Sequence, residues 1–208
     1  MRFNENNQVK MAGEIGSDFQ FSHETHGEKF YLFDLKIERL SGTVDVLPVL
    51  ISERIVNVKK SGKGAFVEIE GELRSFNKHD GEKSHLVLTI FATRIEEVEV
   101  MQGLNEVVLR GFLCKKPNYR DTPSGRDITD FPLAVNRAYR QSDYIPCIAW
   151  GRNAIFMGMQ EVGTEVVVQG RFQSREYSKR LENGEMEVRT AFELSVHKLE
   201  VVNDECEY

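Results

Sequence analysis

The sequence predicts an all-β chain of two tandem five-stranded Greek-key barrels, each with a short helix between its third and fourth strands. Two observations carry that expectation. Apolar residues recur at every second position in short runs, the period of a strand with one buried face. The pattern of the first half then returns, in order, in the second half.

The first strand, Asn7, Val9, Met11, Gly13 and Ile15, returns as Asn105, Val107, Leu109, Gly111 and Leu113. The second, Phe33, Leu35, Ile37 and Arg39, returns as Phe131, Leu133, Val135 and Arg137. The third holds Pro48 and Leu50, matched by Pro146 and Ile148 within Asp143–Gly151. A helical segment follows, near Ser52–Lys60 and Arg152–Gln160. The fourth strand, Val67, Ile69, Gly71, Leu73 and Ser75 behind Gly64, matches Val166, Val168, Gly170, Phe172 and Ser174 behind Gly163. A hairpin, longer in the second half, leads to the fifth, where Ile90, Ile95 and Val98 meet Leu194, Leu199 and Val202. Turn signals separate the strands at His79-Asp80-Gly81, Thr122-Pro123-Ser124-Gly125 and Asn183-Gly184. The boundary falls near Met101-Gln102-Gly103, dividing the chain into 1–102 and 103–208. Five strands with a helix after the third suit a closed barrel of the OB type. A pair of small β-sandwiches is the alternative, which the helix position disfavours.

Composition excludes several classes. No apolar run approaches the ~20 residues of a membrane span, and MRFNENNQVK lacks the apolar stretch of a secretory signal; a cytoplasmic protein is expected. Cys114, Cys147 and Cys206 are odd in number and widely spaced, so reduced thiols are expected rather than a disulfide framework or a zinc site. His23-Glu24-Thr25-His26 reads as a solvated loop, not a metal site. No nucleophile motif, phosphate loop or paired carboxylates appear; no enzyme, metal or cofactor is expected. The net charge is −6, yet the basic residues concentrate. From Arg110 to Arg180 the chain carries 12 Lys/Arg against 7 Asp/Glu, while the rest is strongly acidic.

Alternation also picks out an outward face. In Asp143–Gly151, Ile145, Cys147 and Ala149 share the core side; Tyr144, Pro146, Ile148 and Trp150 share the other. In the next long strand Gln169, Arg171, Gln173, Arg175 and Tyr177 point away from the core. Tyr139 and Arg140 follow the Phe131–Arg137 strand and flank the same surface. Aromatic rings among arginines are what an unpaired nucleic-acid strand needs: bases stack on rings and guanidinium groups pair with phosphates. Any one of these rings alone reads as an ordinary sheet residue; the interleaved set does not.

These residues carry a resemblance to a known family. Asn105–Gly111, Thr122–Gly125, Phe131–Arg137, Asp143–Gly151 and Gly170–Arg175 together resemble the bacterial single-stranded DNA-binding protein family, as a tandem variant. The resemblance implies an OB fold, no catalysis, sequence-tolerant binding of single strands, and four barrels per assembly, reached here by a homodimer. The family's four stacking places hold Tyr139, Tyr144, Trp150 and Tyr177; Arg137, Arg140, Arg152, Arg171 and Arg175 complete the expected site. Roles in replication, repair or recombination, near the nucleoid, are implied in the same way.

Two departures follow. In the first half the four places become Ser41, Val46, Ser52 and Lys78, and its exposed row reads Glu68, Glu70, Glu72, Arg74. Those carboxylates repel phosphate, so this degenerate half is expected to be structural or dimerising. The tail, Asn203-Asp204-Glu205-Cys206-Glu207-Tyr208, lacks the family's long linker and closing Pro-Phe pair, which puts recruitment of partners in doubt. The competing reading is a protein–protein scaffold of a replication-restart or conjugation complex with weak nucleic-acid contact. An RNA binder would use the same stacking physics.

Overall fold

A computed structural model describes residues 6–56, 62–81, 83–99, 103–122, 125–180 and 184–202. The first half contributes β1 (Asn7–Ile15), β2 (Gln20–Thr25), β3 (Glu28–Glu38), β4 (Val44–Ser52), β5 (Phe66–Asp80) and β6 (Lys83–Glu97). The second contributes β7 (Asn105–Leu113), β8 (Asn118–Asp121), β9 (Asp127–Asn136), β10 (Ser142–Trp150), α1 (Arg152–Gly158), β11 (Glu165–Arg180) and β12 (Met186–Val201). The chain is all-β, as its alternation requires.

The pairings close on themselves twice. β1 pairs with β3 and β5, β3 with β4, β4 with β6 in parallel, and β6 with β5. β7, β9, β10, β12 and β11 repeat the circuit. Each ring encloses the apolar face its sequence alternation marks: Met11, Leu35, Val49, Ile69 and Ile90 in one, Leu109, Leu133, Ala149, Val168 and Leu194 in the other, all at 0% exposure. Each fully buried Val, Leu or Ile contributes roughly 1.5–3 kcal/mol.

Two glycines per ring let strands cross. A Cβ at Gly13 would meet the Lys36 carbonyl oxygen, and one at Gly111 the Ala134 carbonyl oxygen. At Gly71 and Gly170 it would meet the carbonyls of Phe91 and Ser195. At Gly71 and Gly170 the register also shifts, passing over Thr93 and His197 on the partner strands. The repeated glycines thus mark backbone-on-backbone contacts.

Two expectations change. Among the described residues each half carries six strands rather than five, because short β2 and β8 pair with β3 and β9 outside the rings. Of the two expected helices, only α1 is present among the described residues, with Ala154 and Met157 buried. After β4 the chain makes a turn, in which the Arg54 amide donates to Ser52 Oγ at 3.1 Å and the Ile55 amide to the Ser52 carbonyl at 3.1 Å. The rest of the expected first helix lies outside the described residues. So do Met101-Gln102 of the boundary, Pro123-Ser124 and Asn183 of the turns, and the tail from Asn203 with Cys206. Among the described residues no helix is long and apolar enough to cross a membrane.

β1 and β7 join the halves, antiparallel, with Val9 opposite Val107. These two valines occupy the same place in the repeat, so a pseudo-two-fold axis passes between them. The same device therefore appears twice. Asp45 Oδ1 accepts the Ser174 amide at 2.8 Å, and Asp143 Oδ1 accepts the Ser75 amide at 2.6 Å. In return Ser174 Oγ accepts the Val46 amide at 3.2 Å, and Ser75 Oγ the Tyr144 amide at 2.7 Å. Asn7 clamps both backbone groups of Leu73, and Asn105 those of Phe172. The aspartates and serines of the repeat tie the two halves to each other.

Candidate nucleic-acid interface

β10 presents its rings as the alternation requires. Tyr144 is 49% and Trp150 40% exposed, while Ile145, Cys147 and Ala149 face the core. Burial raises the Cys147 thiol pKa well above the usual range. Trp150 Nε1 donates to Ser195 Oγ at 3.2 Å, which fixes the indole against β12. Arg171 lies opposite that same serine. Together with Ile128, Ile148 and Asn153 they line a cleft of about 760 Å³. Exposed Arg175 lines it too, 3.7 Å from Glu193, along with Arg120 and Arg126.

Arg120 and Arg126, at the β8–β9 hairpin, are members of the cleft that the strand alternation did not single out. Their membership in the basic stretch from Arg110 to Arg180 was the available signal. Arg120 is shared with Asp130 at 2.9 Å. Gln173, expected in the outward row, is instead buried and donates to Glu193 Oε1 at 3.0 Å.

The remaining candidates divide. Tyr177 is 37% exposed, with the Arg175 guanidinium 6.0 Å from its ring centre. It lines a second cleft, beside Pro146 and Arg189. Hydrogen bonding to Glu187 raises the Arg189 pKa. Tyr139 is almost wholly exposed, and both it and Arg140 hold positive φ, 60° and 57°. Two consecutive non-glycine residues in that region are strained, as happens at ligand-contacting loops. Arg152 opens α1 and is exposed. Arg137 is different: its Nε lies 3.0 Å from Asp143 Oδ2, off the hydrogen-bonding direction. Asp143 is fully buried and also takes Arg74 at 3.1 Å. The structure commits Arg137 to the junction of the halves, as it commits Arg39 to Asp45.

The first half lacks the rings at the matching places but not aromatic bulk. Ser52 is buried and donates to Glu28 Oε1, Val46 is 40% exposed, and Ser41 and Lys78 are exposed. Phe91 stands where the second half has Ser195, and Phe30 where it has Ile128. Their ring centres are 6.1 Å apart, His23 stacks on Phe30 at 4.9 Å, and Arg74 lies 5.9 Å from the Phe91 ring. The rings have moved from β4 to β3 and β6, which position-by-position matching overlooks. The charge has inverted, with Glu28 in place of Arg126 and Glu72 in place of Arg171. Glu70 is partly offset by Lys10 and Arg94, and Glu72 by Arg74. Among the described residues no three His, Cys, Asp or Glu side chains come together as a metal site.

Residues 104–202 match the Single-strand binding protein family. Single-stranded DNA-binding protein 1 of Staphylococcus aureus is 42% identical over 84 residues, covering 37% of this chain and 50% of that protein. Single-stranded DNA-binding protein A of Bacillus subtilis is 39% identical over 84 residues, 37% of this chain and 49% of its own. The chain thus spans about half the length of these relatives. The crystal structure of the wild-type single-stranded DNA binding protein from Thermus aquaticus covers 95% of this chain and 93% of its own at 23% identity, with a TM-score of 0.75. The architecture of both halves is therefore shared.

Proposed function

We propose, from the match of residues 104–202 to the single-strand binding protein family, that this protein binds single-stranded DNA without marked sequence preference. One observation carries the reading: an exposed indole, held by Ser195, opens on a cleft rimmed by arginines. A ring face offered there suits an unpaired base, worth ~1–3 kcal/mol per base. Arg126, Arg171 and Arg175 supply the counter-charge for phosphates, with Arg152, Arg140, Tyr139, Tyr144 and Tyr177 extending the surface. A duplex hides its base faces and gains only the phosphate contacts.

In this reading the two closed rings are OB barrels, 1–102 and 103–208. The first is chiefly structural or dimerising, and two chains assemble four barrels. The protein coats single strands during replication, repair or recombination in the cytoplasm and performs no catalysis. The scaffold reading is less favoured, because it leaves the exposed indole and its arginines without a purpose.

Tryptophan fluorescence tests the proposal, since the chain has 1 tryptophan and the signal reports Trp150 alone. Poly-dT is expected to quench it strongly and duplex DNA weakly, with affinity falling as salt rises. A flat poly-dT titration at low salt refutes the reading. Light scattering tests the assembly: the expected mass is twice the 23.9 kDa of one chain.

A further inference from the structure

Trp150 and Tyr177 open on different clefts. That of Trp150 is about 760 Å³ and that of Tyr177 about 600 Å³, and their linings share no residue. A third groove, about 870 Å³, joins them. It shares Arg39, Gln173 and Arg175 with the first cleft, and Leu86, Leu88, Thr190 and Phe192 with the second. One wall of this groove belongs to the first half of the chain, where Val44, Val46, Pro48, Leu86 and Leu88 line it.

We propose that the first half supplies the middle of the strand-binding path: single-stranded DNA leaving Trp150 crosses an apolar wall built by Val46 and Leu86 before reaching Tyr177. The inference rests on the single-strand reading above and narrows the structural role given there to the first half. A strand that follows the clefts from one ring to the other has to pass this wall.

The chemistry of the groove fits unpaired bases. Val46 and Leu86 are 40% and 44% exposed, so the apolar surface is open rather than packed. Phe192 of β12 faces the same space, and Thr43, Ser174 and Thr190 give its polar margin. The groove itself is lined by two cations, Arg39 and Arg175, at the end it shares with the Trp150 cleft, while Arg189 stands in the Tyr177 cleft at the other end. Arg175 is 58% exposed, whereas Arg39 is tied to Asp45 through two hydrogen bonds of 2.8 and 2.6 Å. Phosphates are thus held at the two ends of the groove, and the passage between them contacts base faces, which gain from leaving water. Glu68, Glu70 and Glu72 do not line the groove, whose acidic members are Asp34 and Glu176.

The test uses the full chain with Val46→Glu and Leu86→Glu together, read by Trp150 quenching with two lengths of oligo-dT. One is about 8 nucleotides, within the ~4–16 that one OB fold holds, and the other on the order of 30. A control chain carries Phe21→Glu and Ile55→Glu, the same added charge at exposed first-half positions outside the groove. The expected result is unchanged affinity for the short strand, about tenfold weaker binding of the long one, and a control like wild type at both lengths. The proposal is overturned if the groove variant binds the long strand as wild type does, if both lengths weaken alike, or if the control weakens equally. Failure of the single-strand reading itself looks different: wild type is then quenched by neither length.

Discussion

Single side chains here separate into those that can meet a ligand and those already spent on the fold. Trp150 is of the first kind, because Ser195 fixes its indole edge and leaves the ring open to the cleft. Trp150→Ala is expected to weaken poly-dT binding roughly 10- to 100-fold, the equivalent of one stacked base. Trp150→Phe should restore most of it, with the anisotropy of a labelled oligo-dT replacing the lost fluorescence. Arg137 is of the second kind. Arg137→Ala strips one cation from the buried Asp143 carboxylate while Arg74 and the Ser75 amide remain. A loss of about 2 kcal/mol in denaturant unfolding is expected, with little change in poly-dT affinity. Cys147 gives a pH-dependent signature. Burial raises its thiol pKa in the folded chain, so below about pH 8.5 the thiol is neutral in both states. Above that, only the unfolded chain gives up the proton, and stability falls as the pH climbs further. Cys147→Ala should flatten this alkaline decline in unfolding free energy, and folded wild type should protect the thiol from alkylation.

At the level of strands, the alternation of apolar residues was a reliable guide because one face of each strand is sealed inside a ring. The repeated glycines were visible as pattern; their reason, a carbonyl oxygen where a Cβ would sit, emerges only when β1 crosses β3 and β5 crosses β6. Gly111→Ala is accordingly expected to cost about 1–3 kcal/mol through forced backbone displacement, measurable as a lowered Tm, with Gly13→Ala doing the same in the first ring. What sequence could not show were features made by distant segments. The buried position of Gln173 depends on Glu193 across the β11–β12 pair. The commitment of Arg137 depends on Asp143 and on Arg74 from the other half. The aromatic patch of the first half escaped notice because Phe30 and Phe91 lie on β3 and β6, and only folding brings their rings to 6.1 Å. A helix was expected near Ser52–Lys60, yet over the described part of that segment Ser52 turns the chain through its own hydroxyl.

The molecule as a whole behaves as a dimer written on one chain. Val9 faces Val107 across the axis, and each half gives the other an aspartate and a serine: Asp45 with Ser174, Asp143 with Ser75. An isologous interface of this kind needs only one set of residues, used twice. The second half holds the full set by itself, since Val107, Asp143 and Ser174 all lie within it. Removing the first half would leave β7 as an unpaired edge, a state that strands resolve by pairing. A fragment of residues 103–208 is therefore expected to form a homodimer, with Val107 facing its own copy and Asp143 of each copy receiving the Ser174 amide of the other. Sedimentation should give twice the fragment mass, and Asp143→Asn together with Ser174→Ala should shift the fragment toward monomer. The same pair of changes in the intact chain should disturb assembly far less, because there the covalent link keeps the local concentration of the second partner high. A fragment that sediments as a monomer would show instead that the acidic first half contributes something to the joint that the second half cannot replace.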